Sequence, residues 1–118
     1  MRMTFRTTTF LITMAFALAG VPRDTGAQDA AAIKRGQEVY AAQKCQTCHS
    51  IAGKGAKTNP LDGVGAKLSA DEIRQWIVNP TEMAKKAKSD KKPPMPNKYT
   101  KLPAADIDAL VAYMQSLK

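Results

Sequence analysis

Two cysteines separated by two residues, followed at once by the only histidine, constrain this 118-residue chain more than any other feature: Cys45-Gln46-Thr47-Cys48-His49. A C-x-x-C pair can serve thiol redox chemistry, a structural disulfide, half of a zinc site, or, with an adjacent histidine, covalent attachment of a prosthetic group. Zinc fails on ligand count. A closed zinc site needs four protein ligands, and two cysteines with one histidine leave only a carboxylate to complete it. A thioredoxin-like enzyme would set the pair in a βαβ context, for which no alternating strand pattern exists. A structural disulfide is sterically possible but gives His49 no part.

Haem attachment uses all three residues. Thioethers from Cys45 and Cys48 to the two vinyl groups hold one edge of the porphyrin, and the next residue, His49, falls beneath the iron as an axial ligand. With no second histidine, the other axial position falls to Met, Lys, Tyr, water or nothing, and a Met/His pair is the choice that raises the reduction potential for electron transfer. Met95 is the candidate ligand, because Lys92-Pro93-Pro94-Met95-Pro96 restricts the φ angles around it and lowers the entropy of ordering its thioether. Met83 stands second. Met114 lies in a helical apolar stripe, where methionine usually fills a core.

The N-terminal stretch has another character. Arg2 and Arg6 precede an uncharged run from Thr7 to Pro22 containing Phe10-Leu11-Ile12 and Met14-Ala15-Phe16-Ala17-Leu18-Ala19, the layout of a secretory signal peptide. The run is shorter than the roughly 20 apolar residues of a membrane span and ends at Gly20 and Pro22. Small residues at Thr25 and Ala27 place cleavage before Gln28, with Ala17-Leu18-Ala19 as an alternative site. The organisation expected is a leader over 1–27 and one exported domain over 28–118, periplasmic or secreted, with no membrane span left. Removing the leader takes three arginines and one aspartate from a chain of net charge +8, so the domain keeps a charge of +6. A domain of this size buries a modest core and gains from a large cofactor.

The domain reads as all-α. Ile33, Gly36, Val39 and Tyr40 form one stripe of a helix over 30–44, in which Gly36 costs roughly 1 kcal/mol against alanine unless another backbone approaches there. Residues 50–67 read as loop, with a turn at Asp62-Gly63. Ser69-Ala70-Asp71-Glu72 is a capping box opening a second helix through Ile73, Trp76 and Ile77. Asn79 can cap a short helix begun by Pro80 and running to about Lys88. Pro93, Pro94 and Pro96 keep the following segment extended or turned. Ile107, Leu110, Val111, Met114 and Leu117 mark a C-terminal helix whose start, at Leu102-Pro103, has no Ser or Thr cap.

With these motifs in order over residues 30–118, the chain resembles the small class I cytochromes c. The resemblance implies a fold in which N- and C-terminal helices cross and shorter helices and loops wrap one covalent haem c. It implies that Gly36 and Tyr40 face Leu110 and Tyr113, and that the Pro60 carbonyl accepts the free ring N–H of His49, fixing its tautomer. Asn59 stands where a glycine is common. Trp76 resembles an aromatic lining the methionine side of the haem, against plain core packing as the alternative.

Lys85, Lys86, Lys88, Lys91 and Lys92 precede Met95, Lys98 and Lys101 follow it, and Lys44, Lys54 and Lys57 flank the haem motif. Around an exposed haem edge such charges would steer an acidic redox partner, donor or acceptor; otherwise they form a solvated face. Nucleic acid is disfavoured, since export removes the opportunity and no aromatic or arginine readers interleave the lysines. The expected function is a non-enzymatic one-electron carrier. Alternatives are a haem subunit of a larger oxidoreductase, or an open-site sensor or enzyme if Met95 does not ligate.

Overall fold

The computed structural model describes Gly20 and residues 25–118. The expected leader therefore lies almost wholly outside the described residues. Helix α1, Thr25–Ala42, begins earlier than the apolar stripe predicts, and the position before Gln28 falls in its first turns. A 3-10 turn, Cys45–Thr47, follows, then strands β1, Ser50–Ile51, and β2, Lys54–Gly55. The remaining elements are α2, Val64–Lys67; α3, Ala70–Val78; α4, Pro80–Lys86; a 3-10 turn, Tyr99–Lys101; and α5, Ala104–Ser116.

The most extensive packing joins α1 to α5. A Cβ on Gly36 would overlap the Ala109 carbonyl oxygen and come within 2.6 Å of the Tyr113 Cβ, so the backbones touch at a point where only glycine fits. Four residues on, Tyr40 meets Tyr113 edge to face, with ring centroids 5.8 Å apart and planes at 84°. The facing residue at the crossing is Ala109, one position from the expected Leu110. Arg35 also donates to Asp106 in the first turn of α5 at 2.9 Å, an exposed pair of small energetic weight.

Beneath this crossing the buried cluster combines Val39, Ile73, Ile77, Ile107, Leu110, Val111 and Met114 with Tyr99. The capping box is present: Ser69 Oγ accepts from the Glu72 amide at 3.2 Å, and Glu72 accepts from the Ser69 amide at 2.8 Å. The short α2 is fixed to the end of α5, where the Gly65 amide donates to the Leu117 carbonyl at 2.8 Å and the Gln115 side chain donates to the Leu68 carbonyl at 2.9 Å.

Two local expectations change. The segment read as loop ends in the short helix α2 and contains a small antiparallel hairpin, with Ile51 opposite Lys54 and a two-residue Ala52-Gly53 connection at φ 51° and 77°. Two positive φ angles define the turn type whose twist suits a hairpin, and such short strands leave no hydrophobic alternation to read. Asn79 does not cap α4 through its side chain. It serves as the joint between two helices instead, its amide donating to the Gln75 carbonyl at 2.8 Å and its carbonyl accepting from the Met83 amide at 3.2 Å. Among the described residues no helix is long and apolar enough to cross a membrane.

Gly36→Ala gains helix propensity of roughly 1 kcal/mol but forces two backbones apart, at about 1–3 kcal/mol for overpacking and further for lost contacts. A lower denaturation midpoint than the parent protein is the expected result.

Candidate functional site

Helix α1 ends at Ala42, and two residues on Lys44, at φ 56°, turns the chain sharply into the Cys45–Thr47 turn. The amides of Cys48 and His49 both donate to the Cys45 carbonyl, at 3.1 and 3.0 Å, which gathers the two cysteines and the histidine into one tight loop. The hairpin braces that loop. The Ala56 amide lies 3.0 Å from the Gln46 carbonyl and 3.1 Å from the His49 carbonyl, and a Cβ on Gly55, at φ 107°, would overlap the His49 carbonyl. The two thiols are not joined to each other. Burial pushes the Cys45 thiol above its ordinary pKa.

His49 Nδ1 lies 3.0 Å from a backbone carbonyl, the kind of contact that in metal sites orients an imidazole and fixes its tautomer. The acceptor is the carbonyl of Asn59, not that of Pro60. Ser50 and Pro60 form a parallel bridge in which the Ser50 amide donates to Asn59 and the Leu61 amide donates to Ser50. Bridge geometry turns the carbonyl of Pro60 itself the other way. The Asn59 side chain also donates to the Cys48 carbonyl at 3.2 Å, so the residue that departs from the usual glycine ties the loop to the haem motif twice.

Cys45, Cys48 and His49 line a cavity of about 590 Å³. Met95 and Trp76 line it as well, from segments remote in sequence. Met114 reaches it from α5, whereas Met83 does not line it. Pro60 is exposed and outside it. Tyr99, buried beside both cysteines, completes the wall; its neighbourhood is invisible in sequence because it stands in a polar, lysine-rich stretch.

A family model for cytochrome c matches residues 33–118. The chain belongs to the cytochrome c family. No curated protein and no solved structure matches it. As a cytochrome c it is a haem c electron-transfer protein, and its own residues suit that group. The cavity falls within the roughly 300–1,000 Å³ of cofactor sites and is mostly apolar. Tyr40 lines it and presents a buried hydroxyl without a hydrogen-bond partner among the described residues, as expected of a wall built to meet a bound group.

In the haem-free chain of this cytochrome c, burial is the largest of the causes that push the Tyr40 phenol up to about 12. A raised folded pKa favours the neutral phenol, so its contribution to stability is intact below pH 10 and lost as pH rises towards 12. Alkaline unfolding curves of Tyr40→Phe should show a weaker pH dependence in that window than the parent; an identical slope would contradict this placement.

Proposed function

We propose that the protein is an exported one-electron carrier with a single haem c, joined through Cys45 and Cys48 and ligated by His49 and Met95. The observation that carries the reading is the convergence of these four side chains on one apolar cavity, with no other histidine in the chain and Met83 outside the cavity. When bound, haem supplies an iron that cycles between ferric and ferrous states.

The chain's part is to hold that group still and dry. Asn59 orients the His49 ring through its carbonyl and so favours one tautomer. Prolines 93, 94 and 96 restrict the backbone on either side of Met95, which keeps the thioether ready to ligate in both oxidation states. Trp76, Ile73, Ile77 and Leu110 exclude water from the apolar wall, and a low dielectric favours the iron state of lower charge. With His49 and Met95 both holding the iron, no position would remain open for a substrate, which supports a carrier over an enzyme.

Export is supported by the leader-like first 27 residues and by thioether attachment, a chemistry consistent with an extracytoplasmic domain. The exposed lysines beside the haem motif and before Met95 suit partners with acidic docking faces, whose association would weaken as salt rises.

Oxidised parent protein should display the weak long-wavelength charge-transfer band of methionine-ligated ferric haem, and Met95→Ala should lose it. The reduced variant should bind carbon monoxide readily where the parent does not. A band that survives in Met95→Ala would remove Met95 from the iron and reopen the sensor or enzyme reading.

A further inference from the structure

The cavity is mostly apolar, and the formally charged residues on its rim are all of one sign. Lys44, Lys85, Lys88, Lys91 and Lys92 line it, and no aspartate or glutamate does among the described residues. Four of these five lysines fall within a single stretch of eight residues. An apolar hollow with cations gathered on one side suits an occupant with an apolar body and an anionic edge.

Lys88 occupies a costly position. The amide of Ser89 donates to the Ala84 carbonyl at 2.9 Å and that of Lys88 to the Lys85 carbonyl at 3.1 Å, the paired bonds that close a helix through a left-handed residue. Lys88 is that residue, at φ 50°, where glycine is the unstrained occupant. A lysine held there directs a long cationic side chain to the cavity from a fixed point just beyond α4. Lys85 shares its charge with Glu82 at 2.8 Å, whereas Lys88, Lys91 and Lys92 form no ion pair among the described residues.

We propose that residues 85–92 form the binding site for the carboxylate groups on the edge of the haem, with Lys88 as the principal contact. The inference rests on the haem reading above and adds to it the orientation of the group and a determinant of its potential. Cations that hold the carboxylates offset their negative charge near the iron. Without them the ferric state gains stability and the midpoint falls.

The test uses the holoprotein as Lys88→Gly, Lys88→Gln and Lys91→Gln, with the exposed Lys101→Gln, which lies outside the cavity lining, as a control for general loss of charge. Glycine relieves the left-handed strain, so Lys88→Gly keeps the fold while removing the contact. Lys88→Gln keeps most of the side-chain length. Reduction midpoints are read at low ionic strength, together with redox-difference infrared bands of isotope-labelled haem carboxylates. Both Lys88 variants should move the ferric/ferrous equilibrium about threefold towards ferric, roughly 28 mV at 59 mV per decade, and shift the carboxylate bands. Lys91→Gln should do so to a lesser degree, and Lys101→Gln should leave the bands unmoved. Lys88 variants that match the Lys101 control in both midpoint and bands, with covalent haem and the methionine band intact, would overturn the proposal alone. A parent protein without covalent haem would overturn the reading on which it rests, and the proposal with it.

Discussion

The contact between the backbones of α1 and α5 at Gly36 and Ala109 sets the geometry on which the site depends. Helix α1 delivers the chain directly to Lys44 and the Cys45–Thr47 turn, so the angle and depth of the crossing fix where the cysteines and His49 stand. The other partner in the crossing, α5, carries Leu110 and Met114 into the cavity wall. A side chain at position 36 would separate the helices and so displace the attachment loop from the surface it must face. The glycine weakens α1 taken alone and strengthens the domain, a local conflict resolved by tertiary packing.

Around that crossing, the site is secured by backbone bonds more than by side chains. The hairpin holds the haem motif through Ala56, the parallel bridge at Ser50 brings the Asn59 carbonyl to His49, and α2 is tied to the end of α5 through Gly65 and Gln115. Backbone anchoring of this kind positions a metal ligand with little dependence on flexible side chains. It also explains how a segment rich in glycine, lysine and asparagine forms one wall of an apolar cavity.

The all-α class, the capping box at Ser69, the order of the four expected helices and the C-terminal stripe are legible in the sequence because each rests on local periodicity or on a fixed spacing of polar residues. The Cys45, Cys48 and His49 constellation is legible for the same reason. The carbonyl that orients His49 is not, because it belongs to a backbone group whose direction follows from a two-residue bridge; family resemblance points to Pro60 and the fold uses its neighbour Asn59. Gly55 and Tyr99 were equally hidden, since a close approach to the His49 carbonyl and a place beside the two cysteines arise only once distant segments meet. Lys88 is the instructive case: in sequence it is one of a run of lysines, and only its left-handed backbone sets it apart.

The role of the cavity depends on a covalent haem at Cys45 and Cys48. Denatured mass measurement on protein produced in an export-competent host tests this most directly. The expected species is a chain beginning at Gln28 that carries the mass of one haem and keeps it after unfolding and acid extraction. A polypeptide of unmodified mass, or one that releases its haem on extraction, would contradict the account.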